Sequence, residues 1–407
     1  MTSNRARIAA LLAGACLVTS AVSCGGSSHH DSPSATRVLD VARNLADTWR
    51  AENPAAGVKW SWGEGLLMLG MLELARTTAD SSYEDYALDW LHAHQQAGYT
   101  IFDSDTCPPG TVASLLIERR GATELQPIVD DVSTYLFDKA PRTSDGGISH
   151  LGLIPLVFRQ QLWVDSLVMF GEFLIDDGLR TGDPHDLDLM SGQYQIFGTH
   201  LQDPDLGFWT HSWDDIAKRN QPPLEDQVFW ARGNSWALVS GIDLAAALPP
   251  DDSRLDPVLA RVNRQQQALL ATQDPATGLY WTVLNRPGET YLESAGSAMI
   301  SYGLARGFEE SFLGPEAADA STRGLAGLLG RIHVDPSGRT VLSGTSVGTD
   351  PGPFWYYKIV PTKDNVSYGV GGFVLLATRL VELERAGRIG DLPMPPAPSL
   401  EPNGGMP

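Results

Sequence analysis

The chain has 407 residues, 43% of them hydrophobic, which is enough to bury a large core. Its 29 Lys and Arg against 49 Asp and Glu leave a net charge of −20, a poor match for nucleic acid or an anionic membrane surface. Length alone suggests two or three domains, although single barrels reach this size.

In chain order, the first element reads as an export signal. Arg5 and Arg7 precede an apolar run, Ile8–Val18, too short to span a bilayer comfortably. The stretch "AVSCGG" that follows (Ala21–Gly26) resembles the lipobox of bacterial lipoproteins, with Cys24 as the lipidated residue; plain secretion with cleavage nearby is the alternative. Residues 1–23 are thus expected to be a signal peptide and 24–36 a flexible tether. A folded domain over 37–390 and a disordered Pro/Gly-rich tail over 391–407 complete the chain. This places the protein in the bacterial cell envelope, periplasmic or at the cell surface, touching the membrane only through lipid. Cys107 is then the one cysteine of the mature fold outside the anchor, so no internal disulfide is expected.

Twelve helical segments follow, of two alternating kinds. The odd ones, Thr36–Glu52, Ser81–Gln96, Glu124–Lys139, His185–Leu201, Arg254–Gln273 and Pro315–Ile332, are amphipathic, as half-exposed helices are. The even ones are Gly63–Ala75, Gly110–Glu118, Trp163–Ile175, Gly233–Leu248, Glu293–Gly307 and Tyr368–Leu383. They are apolar nearly all round and rich in Gly and Ala, so they are expected to be buried on every side. This alternation predicts an all-α fold, a six-fold α/α barrel of two concentric rings, with an α-solenoid as the alternative. The turn signals "LQDPDLG", "TQDPATG" and "HVDPSG" (starting at Leu201, Thr272 and His333) precede aromatic or β-rich stretches, which predicts short hairpins at one end.

Polar and aromatic residues recur where each even helix begins: "WSW" (Trp60–Trp62), "FDSDTCPP" (Phe102–Pro109), Trp163 with Asp165, "FWAR" (Phe229–Arg232) with Trp236, Glu293, and "PFWYYK" with "KDN" (Pro353–Asn365). The N-termini of inner helices share one end of a barrel, so these residues converge on one mouth. Aromatics with a few carboxylates and one arginine suit a sugar-binding cleft; core packing is the alternative for the aromatics. Asp165 is either an N-cap or a buried acid kept for chemistry. Arg232 is either a carboxylate clamp or the partner of Glu225 or Asp226. No P-loop or dinucleotide fingerprint occurs, and His92 and His94 diverge on their helix. No metal or organic cofactor is expected.

Several of these stretches, "DGGISH" (Asp145–His150), "QLWVD" (Gln161–Asp165), "GFWTHSWDD" (Gly207–Asp215), "FWARGNSW" (Phe229–Trp236) and "LESAGSAMISYGLARG" (Leu292–Gly307), resemble the unsaturated rhamnogalacturonyl hydrolases, glycoside hydrolase family 105. These are related to the unsaturated glucuronyl hydrolases. The resemblance runs from about Trp60 to Leu383 and implies the same six-fold α/α barrel. It implies Asp165 as general acid/base and Asp105 as the second active-site aspartate. It places His150, Trp163, His211, Arg232 and Trp236 at substrate-binding positions, with Trp62 at a stacking position where relatives have tyrosine. The implied substrate is an oligosaccharide ending in a 4,5-unsaturated uronic acid, and the implied reaction is hydration of its double bond. An inverting glycosidase, a lyase and a non-catalytic glycan-binding protein are the competing possibilities. For Asp165, burial beside Trp163 and the like charge of Asp105 predict a raised pKa.

Overall fold

A computed structural model describes residues 31–152 and 160–396. The helical domain belongs to the unit Ser32–Pro407. Cys24, the signal-like segment and residues 397–407 lie outside the described residues.

The two kinds of helix form two rings. The outer ring is α1 (Pro33–Glu52), α3 (Ser82–Ala97), α5 (Gln126–Thr134, extended by a π turn to Lys139), α8 (Pro184–Leu201), α10 (Leu255–Thr272) and α12 (Pro315–Leu329). The inner ring is α2 (Trp62–Thr78), α4 (Pro108–Arg120), the broken pair α6 (Ser166–Met169) and α7 (Gly171–Thr181), α9 (Ala231–Ala247), α11 (Ser294–Glu309) and α14 (Ser367–Arg385). A short α13 (Phe354–Ile359) precedes α14. Inner helices pack in the order α2, α4, α7, α9, α11, α14, and α14 returns to α2. That closure excludes the solenoid, whose ends do not meet.

Small residues make the closing seam possible. A Cβ added at Gly70 of α2 would lie 2.8 Å from the carbonyl oxygen of Gly371 in α14, a contact that only backbone movement could relieve. At the far end of the ring, ion pairs link neighbouring inner helices: Glu73 with Arg119 at 2.6 Å and Arg306 with Asp243 at 2.8 Å.

Short strands follow the first of the turn signals and flank the third, on segments leading from an outer helix to the next inner one, whereas after "TQDPATG" only isolated bridges form, Trp230 with Val283 and Trp281 with Leu292. Strands β1 (Gln161–Trp163), β2 (Ser212–Asp214) and β3 (Arg219–Gln221) form an antiparallel sheet in which Trp163 pairs with Ser212. Strands β4 (Ile332–Val334) and β5 (Thr340–Leu342) pair, as do β6 (Thr345–Ser346) and β7 (Thr362–Lys363). In the three Asp-Pro turns the glycines Gly207, Gly278 and Gly338 have φ of 83°, 74° and 88°, the left-handed region that glycine enters without a Cβ penalty. All these connections lie at the end where the inner helices begin, so they form the rim of the mouth.

The third inner helix starts later than the sequence pattern predicts. Trp163 belongs to β1, and helix begins only at Ser166. Pairing with the hairpin strand β2 takes the backbone of Trp163 that a helix would otherwise use.

Candidate active site

Asp165 sits at the strand-to-helix junction between β1 and α6. It precedes the first helical residue, yet its side chain makes no capping bond. N-capping therefore does not account for it. Its residue is 9% exposed, and its Oδ2 lies 3.3 Å from Nε2 of His211. Among the described residues neither atom has a hydrogen bond of full geometry to another partner.

Asp105 sits in a 3-10 turn (Ser104–Thr106) held by an Asp103–Thr106 capping box just before α4. Its Oδ1 is 3.7 Å from Nε2 of His150. His150 and His211 thus face one aspartate each. The two histidines flank Trp163, with the His150 ring stacked on it at 4.3 Å and the His211 ring edge-on at 5.7 Å. Ser166 at the start of α6 bridges Nδ1 of His150 (3.0 Å) and Oγ of Ser104 (3.1 Å), tying the two aspartate-bearing turns together.

The electrostatics divide the two carboxyls. For Asp105, loss of water and the like charges of Asp103, Asp165 and Asp350 push the pKa well above the carboxylate range. Its side chain still meets solvent, with 37% exposure, so it is the proton-holding group that substrate or water can reach. For Asp165, burial pushes upward, but His211, His150 and Arg232 together outweigh it and hold the pKa below its usual value. The raised pKa predicted for Asp165 is thus corrected: two histidines that lie far off in sequence supply the opposing field. Burial also drives the His150 imidazole down to about 4. Cys107, wholly buried beside this turn, has its thiol pKa pushed well up by burial and by Asp103 and Asp105, which leaves it unreactive.

A second group of aromatic rings lies at the starts of α2, α9 and α14. Trp62 opens α2, stacks on Tyr368 at 4.4 Å and meets Trp236 edge-on at 6.1 Å. Trp62 is half-buried and so available to a ligand, whereas Trp236 is fully buried. Trp236 therefore backs Trp62 and lines an apolar cavity beneath it, together with Pro108, Val168, Met169 and Glu172. The substrate-binding position implied for Trp236 is thus a buried one behind Trp62.

Arg232 departs furthest from expectation. It lies in the first turn of α9, is 1% exposed, and pairs with Glu293 at 3.6 Å rather than with Glu225 or Asp226. Its Nη1 donates to the carbonyl and hydroxyl of Ser346, and its Nη2 to the carbonyl of Val347 and the hydroxyl of Thr349. Only the Nε–H lacks a partner among the described residues. A two-bond grip on a substrate carboxylate is therefore occupied already, by the rim loop after β6. Glu293 completes the cluster by capping α11 through Gly296 and accepting from the backbone N–H of Ser346 at 2.8 Å.

Two participants carry no motif of their own. Tyr357 touches His211 and Ser166 touches His150, yet in the sequence they are only members of aromatic or apolar runs. The "PFWYYK" stretch marked the right loop without marking which tyrosine turns inward. His92 and His94 do diverge, the first towards Glu124 and the second towards the carbonyl of Val58.

A closed α/α barrel with two carboxyls, two histidines and an aromatic wall at one mouth defines a glycan-processing enzyme. The description of a family model, Glycosyl Hydrolase Family 88, matches residues 38–384. The chain belongs to that family and is a glycoside hydrolase. It is 27% identical over 321 residues to the unsaturated rhamnogalacturonyl hydrolase YesR of Bacillus subtilis, covering 77% of this chain and 87% of that protein. It is 22% identical to an unsaturated 3S-rhamnoglycuronyl hydrolase of Formosa agariphila over 83% of this chain and 88% of the relative. A crystal structure from Klebsiella pneumoniae, described as a possible member of family GH105, superposes with a TM-score of 0.77 at 22% identity, covering 90% of this chain and all of that one. That likeness shows the shared barrel.

Proposed function

We propose that this enzyme removes the terminal 4,5-unsaturated uronic acid from oligosaccharides produced by polysaccharide lyases, with unsaturated rhamnogalacturonan fragments as the first choice. The observation that carries the reading is the split pair at the mouth: Asp165 held ionised against His211, and Asp105 disposed to keep its proton. The relatives support the substrate class, since the two are named as an unsaturated rhamnogalacturonyl hydrolase and an unsaturated 3S-rhamnoglycuronyl hydrolase.

Entry of a uronate adds negative charge and expels water, and both raise carboxyl pKa values. Asp165 then takes up the proton it must donate. It delivers that proton to C4, and water adds to C5, returning a proton to the Asp165 carboxylate. The net result is water across the double bond and a hemiketal at C5. Breaking the C5–O5 bond opens the ring to a ketone and leaves a hemiacetal at C1. That hemiacetal collapses to an aldehyde and expels the neighbouring sugar.

The test is a panel of lyase-generated oligosaccharides, followed by loss of the ultraviolet absorbance of the conjugated double bond. Unsaturated substrates should lose it, while saturated uronosides of the same sugars stay intact. Cleavage of saturated uronosides at a comparable rate would make the enzyme an ordinary two-carboxylate glycosidase instead. For location, the "AVSC" stretch supports export with a lipid on Cys24.

A further inference from the structure

We propose that Tyr357 is a positioning residue: its hydroxyl fixes which nitrogen of His211 carries a proton, and so keeps an N–H directed at Asp165. The proposal rests on the reading of Asp165 as the acid/base group.

His211 is buried, with Trp230 stacked on its face at 4.2 Å and Trp163 against its edge. Its ring nitrogens each meet one group. Nδ1 is 2.7 Å from the hydroxyl of Tyr357, and Nε2 is 3.3 Å from Oδ2 of Asp165. An ionised carboxylate accepts and never donates. A bare Nε2 would set one lone pair against another, so the arrangement requires a proton on Nε2. Nδ1 must then accept from Tyr357 when the ring is neutral, or donate to it when the ring is charged. A hydroxyl can do either by rotating. The carboxylate disfavours the proton on Nδ1 alone, and a hydroxyl that donates to Nδ1 reinforces that preference.

The surroundings favour tyrosine as the donor. Its oxygen accepts the backbone N–H of Gly352 at 3.4 Å, leaving its own proton for Nδ1. Tyr357 is fully buried, and burial pushes its pKa far up, so the hydroxyl keeps that proton. His150 is the other titratable ring near His211, and charge on either opposes charge on the other. Arg232 acts on the same aspartate from α9. The imidazole of His211 is thus poised between a donor behind and an acceptor in front, and α13 carries that donor.

The test is Tyr357→Phe, which keeps the ring and removes only the hydroxyl. Nitrogen-15 NMR of the histidine rings, with the His211 signals assigned by loss in His211→Gln, reads the tautomer directly. In the wild type Nε2 should be protonated and Nδ1 should show the signature of an acceptor; in the variant the acceptor signature at Nδ1 should be lost and the Nε2 tautomer less strongly favoured. Turnover should fall about 10–100-fold, the range for losing one buried hydrogen bond in the transition state, with KM altered less than about 3-fold. The acidic limb of the kcat profile should also move. Adding Tyr357→Phe to His211→Gln should cost little more. Unchanged ring signals, or full additivity of the two losses, overturns the proposal. Inertness towards every unsaturated oligosaccharide, with the ring change present, overturns the substrate reading alone and supports the role of Tyr357.

Discussion

Replacing Arg232 by lysine keeps the charge but removes the fork. In the structure the two terminal nitrogens of Arg232 serve four acceptors on Ser346, Val347 and Thr349, with Glu293 alongside at 3.6 Å. A lysine has three N–H groups on one atom, so it cannot reach all of these at once. Loss of two charge-assisted bonds, at about 1.5–3 kcal/mol each, should destabilise the fold by about 3–6 kcal/mol. The same rim loop carries the backbone that Glu293 and Tyr368 hold through Ser346, so catalysis should suffer as well, by roughly 10–150-fold in kcat/KM. The assay pairs denaturant unfolding with kinetics on the free acid and on the carboxyl-esterified form of one unsaturated substrate. If Arg232 organises the loop, both forms should lose by factors that agree within about 3-fold. A variant of wild-type stability that loses activity only on the free acid would refute this. It would show that the guanidinium leaves its loop partners to grip the substrate.

Asp165→Asn should lower turnover by at least ~10²-fold while oligosaccharide binding persists; more than a tenth of wild-type activity would remove Asp165 from the proton-transfer role. His150 is held neutral, its pKa lowered to about 4 by burial. Its contribution to stability is complete above the unfolded value near 6.5 and is lost as pH falls towards 4, a swing of roughly 3 kcal/mol. Folded His150→Gln should lack that part of the acid sensitivity in denaturant melts between those limits, and parallel pH curves for the two proteins would contradict it. Cys24→Ser should move the protein from the membrane to the soluble fraction; a wild type already soluble, with a mature N-terminus other than Cys24, ends the lipoprotein reading.

The rings of the barrel were readable because their cause is local. An amphipathic stripe and an all-apolar face are properties of single segments, and the six inner and six outer segments fall on those patterns, the third inner one broken and starting late because its first residues join β1. Closure through Gly70 and Gly371 was foreshadowed only by the small-residue bias, since the partners are about 300 residues apart. The site was legible as a list and not as a circuit. Asp105, Asp165, His150, His211 and Trp163 do meet at one mouth. Which carboxyl keeps the proton depends on which histidine faces it, and that is set by the β1–β2 register. The partner of Arg232 was out of reach for the same reason: the alternative to a clamp offered Glu225 and Asp226, near in sequence, whereas Glu293 and the Ser346 loop are near in space.

That circuit bears on how so acidic a chain can take an acidic substrate. Asp103, Asp105, Asp165, Asp350 and Glu293 gather round the mouth, and among the described residues the arginine that acts on Asp165, Arg232, is already paired. A uronate entering this field is not met by a free fork on Arg232. It can be balanced by protons, because Asp105 is disposed to keep one against its neighbours and Asp165 must gain one to act. Binding should therefore take up protons, towards one per substrate. By linkage, affinity should weaken as pH rises through the range where the pair titrates, by up to about tenfold per pH unit for each proton gained. Calorimetry of Asp165→Asn or of the wild type with a slow substrate, in buffers of different ionisation heat, measures that uptake. The wild type should show it and the asparagine variant should show less, because its share of the proton is gone. Binding heats that do not depend on the buffer, together with a KM flat in pH, would mean that a fixed cation meets the carboxylate. The rim of the barrel would then be the place to look for it.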